Sequence, residues 1–282
     1  MNPRSTPDAI ELELKFGLRD VTVADISAGL MSGNTPLHTR WLQNTYYDTA
    51  DGILHQMGVA IRTRSIGQQH EMTVKIREPD EGGLSRRQEW NLPIDTVGLN
   101  RQQLLALPLP EAACALIQND ALQPVFLNQF HRTDWHVVEG LTEIMVSLDC
   151  GAVEGNGSRS SVSELELELI TGTVEELIAV GCHLTDQLPA FMAVISKAER
   201  GEWLLRGGSP VMAPDPSTVR GWLYRLSRML DPLAGPNSTE AVRALAQCQD
   251  PVAIERFTGA LLAGDLPQGL ARWMVDLSLK DV

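Results

Sequence analysis

Two short stretches of the chain alternate charge and leucine without interruption, ELELK at 11–15 and ELELE at 164–168. In an extended segment, residues i, i+2 and i+4 share a face. Glu11, Glu13 and Lys15 therefore fall on one side of a strand, with Ile10, Leu12, Leu14 and Phe16 on the other. Glu164, Glu166 and Glu168 are set against Leu165, Leu167 and Leu169 in the same way. Period-two alternation recurs in GVAIRTRS (58–65), EMTVKIRE (71–78), LSRRQEWNLPI (84–94), VFLNQFHRTDWHVV (125–138) and TEIMVSLDCGAV (142–153), and each reads as a strand. Turn signals separate them, notably EPDEGG (78–83) and EGNGS (154–158). Helical segments are expected near 21–31, 98–106, 111–119 and 173–187. The last opens with Thr173 and Glu176 in the form of a capping box.

A Gly/Pro/Ser stretch, GGSPVMAPDPS (207–217), reads as a linker, and beyond it the pattern turns helical. Val219, Trp222, Leu223, Leu226, Met229 and Leu230 recur at 3–4 spacing, with Pro216 placed for a first turn. Leu270, Trp273, Met274 and Leu277 repeat that logic. The expected organisation is a strand-rich domain over 1–206, a linker over 207–217 and a small helical domain over 218–282. The apolar stripes of the tail need cover. Docking on the strand-rich domain or on one another is one solution, and a homodimer through the tail is the other.

The 282 residues are 43% hydrophobic, enough for a sizeable core, and their formal net charge of −13 argues against a nucleic-acid or anionic-membrane binder. That balance does not constrain what a cleft holds. The opening MNPRSTPDAI has no apolar stretch, so no signal peptide is expected. No run approaches the ~18 apolar residues of a membrane-spanning helix. The four cysteines lie far apart with no CxxC pair, which fits a reducing compartment, and a cytoplasmic protein is the expectation. The six histidines show no HxxxH or HExxH spacing, His55 reads as a loop histidine, and no P-loop, dinucleotide or GxSxG motif is present.

Adjacent carboxylates on one strand face gain nothing structurally. For either strip alone a solvated outer face is the plain explanation. The other strands argue differently. Arg62 and Arg64 share a face, as do Thr73, Lys75 and Arg77; Arg87 accompanies Glu89, and Arg132 stands among Phe126, Phe130 and Trp135. Charge is sorted by sign between strands, which a sheet open to water does not require. A sheet curled so that these faces converge would set carboxylates against guanidinium and ammonium groups. That suits a divalent cation bridging to a polyanion, since hard oxygens hold the cation and Arg or Lys clamps phosphate.

At these residues the sequence resembles the CYTH superfamily, the triphosphate tunnel metalloenzymes. The likeness runs in order through IELELKFGL, YYDTADGILHQMGVAIRTR, EMTVKI, GGLSRRQEWNL, FLNQFHRTDW, SLDCG, SELELELITG and ISKAERGEWL, about residues 10–205, and is greatest to the bacterial inorganic triphosphatases. The resemblance implies an α+β protein built on an eight-stranded antiparallel β-barrel tunnel, open at both ends, with helices packed outside and a small helical tail. It implies Glu11, Glu13, Glu166 and Glu168 as ligands of Mg²⁺ or Mn²⁺. It implies Lys15, Arg62, Arg64, Lys75, Arg87, Arg132 and Lys197 as the phosphate cradle, with Lys15 and Glu89 taking direct part in catalysis. Asp149 and Glu164 would support the basic wall. Arg77, Arg86 and Arg200 lie beside the matched positions and stay outside this set. The implied activity is metal-dependent hydrolysis of inorganic triphosphate to pyrophosphate and phosphate, a second cation activating water. Adenylate cyclase or a thiamine or nucleoside triphosphatase of the same fold is an alternative, as is a non-catalytic polyphosphate sensor. Two departures stand out. Met145 occupies a place where relatives often carry Glu, with Glu143 two residues earlier on the same face. The tail after residue 207 has no histidine, unlike the long histidine-rich helical domain found in this branch.

Overall fold

In the computed structural model, which describes residues 9–30, 35–78, 85–119, 121–207, 215, 218–231, 238–248 and 250–279, the alternating segments form the staves of a barrel. They are β1 (Ala9–Leu18), β2 (His38–Asp48), β3 (Val59–Ile66), β4 (Gln69–Arg77), β5 (Ser85–Ile94), β6 (Gln123–Glu139), β7 (Thr142–Gly155) and β8 (Ser158–Thr171). The order is β5-β4-β3-β2-β6-β7-β8-β1, each pairing is antiparallel, and β5 pairs back onto β1 to close the ring. A three-residue strand, β9 (Ala190–Met192), adds to the end of β1.

The register carries one set of side chains around the inside. Glu13 lies opposite Glu168 and Lys15 opposite Glu166. Asp149 faces Glu164 on one side and Arg132 on the other. Lys75 meets Glu89, and Glu11 meets Arg87. Opposed residues point to the same face, so a one-residue slip anywhere would turn a strand's charges outward and its leucines in. The β7–β8 register is held by a two-residue loop, Asn156-Gly157, with φ of 49° and 72°. Two positive φ values in succession make the type I′ hairpin turn whose twist matches the strands, and Asn-Gly is its preferred pair.

The leucines are therefore on the outside of the barrel but inside the protein. Leu14, Leu165 and Leu167 are at most 1% exposed and pack with Ile26 of α1 (Val23–Gly29) and Leu177 of α5 (Val174–Thr185). Each such burial contributes about 1.5–3 kcal/mol. Capping boxes at Thr22/Asp25 and at Thr173/Glu176 set where these two helices begin. A second cluster joins Ile61, Met72, Val74 and Trp90 to Leu54 of α2 (Ile53–Gln56), Leu104 of α3 (Arg101–Leu105) and Ile117 of α4 (Glu111–Gln118).

One helix behaves differently. α6 (Lys197–Leu205) packs against β6, β7 and β8, where Leu204 joins Tyr46, Phe126, Val153 and Val162 in one cluster. Gly201 permits that approach, since a Cβ there would stand 2.3 Å from the Phe126 ring.

The tail forms α7 (Val219–Leu230), α8 (Ser238–Gln247), α9 (Pro251–Ala263) and α10 (Leu270–Ser278). Leu223, Leu226, Phe257 and Met274 belong to the same core as Leu14 and Phe16, so the stripes are covered by docking on the barrel. Strands β2 and β9 and helices α2 and α6 were not foreseen. Most of 207–217, including Pro216, and most of the 78–83 turn lie outside the described residues. Among the described residues no helix is long and apolar enough to cross a membrane.

Candidate active site in the barrel lumen

The barrel encloses a cavity of about 340 Å³, within the usual size of a small-molecule site. Twelve of the anticipated residues line it: Glu11, Glu13, Lys15, Arg62, Arg64, Lys75, Arg87, Glu89, Arg132, Glu166, Glu168 and Lys197. With Glu71 and Arg77 the wall presents eight Lys and Arg against six Glu, in a chain whose net charge is −13. The lumen is locally basic. The lysines are the plainest sign of design for an anion: the chain has four, and Lys15, Lys75 and Lys197 all face this cavity.

One side of the lumen is an interlocked ion cluster. Lys197 Nζ lies 2.6 Å from Glu164, 2.6 Å from Glu166 and 2.9 Å from Asp149. The Arg132 guanidinium holds Asp149 with both prongs, Nε to Oδ1 at 2.7 Å and Nη2 to Oδ2 at 2.6 Å, and also donates to Glu166. Both cations lie over the Phe130 ring. Burial alone would raise the Glu166 carboxyl, but Lys197, Arg132 and Lys15 outweigh it and hold it well below the carboxylate range. Glu164 is lowered likewise, with Lys197 and Arg200 overcoming burial. Asp149 and Glu164 are at most 1% exposed and stand behind the wall, bonded to its cations.

The opposite walls are less well matched. Burial, together with Arg62 and Arg132 nearby, pushes the Arg64 guanidinium down to about 9. Its Nε donates to Asn44 at 2.8 Å, a neutral partner. Across the lumen, burial and the neighbouring Glu11, Glu89 and Glu13 push the Glu168 carboxyl up to about 7, with Lys75 offsetting only part. Lys75 sits between acids, 2.7 Å from Glu11 and 3.1 Å from Glu89, and Lys15 lies 2.9 Å from Glu13. Burial would raise Glu89, but Lys75 and Arg62 hold it lowered.

The four carboxylates anticipated as metal ligands all face the lumen, and as hard oxygen donors they fit Mg²⁺ or Mn²⁺ in kind. The raised carboxyl of Glu168 marks where positive charge is short. Among the described residues no three acidic, histidine or cysteine side chains already converge as a metal-holding group. Lys15 and Lys75 lie between them and engage Glu13 and Glu11. Met145 lines the cavity, whereas Glu143 is 42% exposed and 3.1 Å from His136. Of the three arginines set aside, Arg77 lines the lumen, Arg86 points out to Glu78, and Arg200 is buried behind Glu164. His55 also lines the cavity, its imidazole pushed down to about 4 by burial and by Arg77 and Arg206.

Comparison with known proteins bears on this geometry. A family model described as the CYTH domain matches residues 9–201. An inorganic triphosphatase of Haemophilus influenzae is 30% identical over 194 residues, covering 68% of this chain and 54% of that protein. The chain thus spans about half the length of this curated relative. A Hippeastrum protein, described as an adenylyl cyclase candidate with a dominant triphosphatase activity, overlaps 71% of this chain and 98% of its own at 18% identity and a TM-score of 0.47. A Pyrococcus horikoshii protein overlaps 62% and 89% at 17% identity and a TM-score of 0.40. The two solved structures add no weight to the family assignment, which rests on the domain match and the Haemophilus relative.

Proposed function

The chain belongs to the CYTH domain family, and on that premise we propose that it hydrolyses a linear triphosphate in the barrel lumen with the help of Mg²⁺ or Mn²⁺. One observation carries this reading. The lumen holds an under-compensated guanidinium at Arg64 and an under-compensated carboxylate at Glu168. A divalent cation together with a polyphosphate relieves both at once, and neither partner alone does. Inorganic triphosphate is favoured over a nucleotide because the lining is mostly charged or polar, with Val59, Ala60, Phe130, Met145 and Ala198 as an apolar minority. Its rings are Tyr46, His55 and Phe130, and Phe130 already carries Arg132 and Lys197.

Glu11, Glu13, Glu166 and Glu168 would hold the cation, which when bound supplies charge neutralisation and an acidified water. Phosphoryl transfer asks the protein chiefly for position and charge. Arg62, Arg64, Lys75, Arg87, Arg132 and Lys197 bind phosphate oxygens. Lys15 stays protonated, because Glu13 and Glu166 overcome its burial, and it neutralises the leaving oxygen. Glu89, ionised at neutral pH, orients the attacking water and accepts its proton.

Phosphate release from tripolyphosphate, ATP and thiamine triphosphate, each with Mg²⁺, Mn²⁺ or chelator, tests the proposal. The expected result is release that is fastest with tripolyphosphate and abolished by chelator. Tight tripolyphosphate binding without release would put a polyphosphate sensor in its place. Faster turnover of ATP or thiamine triphosphate would reassign the substrate.

A further inference from the structure

The tail helix α7 reaches the lumen through a line of buried charge. Asp231 caps its C-terminus, the residue's own N–H donating to the Ser227 carbonyl at 3.0 Å. Its carboxylate accepts from Arg200 Nη1 at 2.7 Å. The other prong of Arg200, Nη2, donates to Glu164 Oε1 at 3.0 Å. The second oxygen of Glu164 receives Lys197 Nζ at 2.6 Å, and Lys197 lines the cavity. No residue in this line is more than 7% exposed, so none of its charges is screened by solvent.

Two cations on α6, Lys197 and Arg200, both draw on Glu164. Asp231 gives Arg200 a carboxylate of its own and leaves Glu164 to serve Lys197. Without that charge Arg200 competes for Glu164, and the ammonium turns toward Glu166 and Asp149, away from its present position. Two further polar ties of α7 lie outside this line. Ser227 Oγ accepts from the Val194 N–H at 3.2 Å, and Tyr224 donates to Glu199 at 2.7 Å.

We propose that Asp231, outside the family-matched span, is a positioning residue for Lys197, so that the carboxylate supplied by the helical tail, and not docking as such, sets the grip of the lumen on its triphosphate. This rests on the reading of Lys197 as a phosphate ligand.

The test compares Asp231→Asn with Ser227→Ala in the full chain. Only four lysines are present, so ¹⁵Nζ resonances resolve Lys197 from Lys15 and Lys75 without any substrate. Asp231→Asn is expected to move the Lys197 resonance and leave the other two, and to raise KM for tripolyphosphate about threefold to tenfold with kcat changed less than about twofold. Ser227→Ala, which loosens docking alone, is expected to lower the melting temperature with KM and the Lys197 resonance unchanged. An unmoved Lys197 resonance in folded Asp231→Asn overturns the proposal, and so does a moved resonance with unchanged KM. Should Asp231→Asn not fold, Arg200→Lys is judged by the same criteria, because an ammonium lacks the fork that reaches both acids. Wild-type protein that neither binds nor turns over tripolyphosphate would strike the reading of the lumen instead, and the Lys197 resonance would still decide whether Asp231 acts on it.

Discussion

Glu164 and Glu168 stand on one strand face, yet their surroundings have opposite character. Glu164 is 1% exposed, bonded to Lys197 and Arg200, and its carboxyl is lowered. Glu168 faces Glu11, Glu89 and Glu13, and its carboxyl is raised to about 7. The first is built into the folded protein, which supplies its counter-charges. The second has too few, and its shortage is what a ligand can satisfy. The same contrast separates Arg132, clamped by Asp149, from Arg64, whose Nε partner is neutral. Charges that the fold itself compensates and charges left short of partners share one lumen, and the second kind marks what a ligand has to bring.

The largest effect should come from Glu164→Gln. It leaves Lys197 and Arg200 buried with a partner removed, and breaking a buried pair costs about 3–5 kcal/mol. Denaturant unfolding should show that loss, and unchanged stability would mean Glu164 is not structural. Glu168→Gln should do the reverse. Metal-dependent phosphate release is expected to fall on the order of 100-fold, while stability at pH 8 in chelator holds or rises. A variant that melts early yet keeps its specific activity would invert the assignment. Arg64→Gln comes next, with KM for tripolyphosphate raised about tenfold and the unfolding midpoint scarcely moved.

The smallest effect lies in pH. Glu168 titrates near 7 in the folded chain and near its ordinary 4.5 when unfolded. Between those values the folded protein binds more protons, so stability in chelator should fall as pH rises from 4.5 to 7, by about 1–2 kcal/mol after allowance for partial exposure. Glu164 and Glu166, whose carboxyls are lowered, act oppositely, and their stabilisation is lost as pH drops below 4.5. Glu168→Gln should remove the upper limb and leave the lower one. Unfolding at a series of pH values checks both.

Much of this was legible in the chain itself. Alternation in ELELK and ELELE marked β1 and β8, and sign sorting between strands anticipated an inward charged face. Strand β2 escaped notice because polar residues occupy both of its faces: Asn44 and Tyr46 point in, while Gln43 and Thr45 point out. Helix α6 was hidden for a related reason. Its buried residues include Lys197, Arg200 and Glu202, so the apolar stripe shrinks to little beyond Trp203 and Leu204. Arg200 illustrates the limit most clearly, since its partners Glu164 and Asp231 are 36 and 31 residues away and only tertiary packing brings them together. The scarcity of lysine is a further signal in the sequence, with three of four turned to one cavity in a chain of 282 residues.

The central claim is that cation and polyphosphate satisfy the two unmatched walls together. Calorimetric titration of tripolyphosphate into wild type and Glu168→Gln, each with Mg²⁺ or chelator, addresses it most directly. The account predicts wild-type binding at least about tenfold tighter with Mg²⁺ than with chelator, and a Glu168→Gln protein in which that advantage is gone. Equal affinity in Mg²⁺ and chelator for wild type, or an undiminished Mg²⁺ advantage in Glu168→Gln, would contradict it.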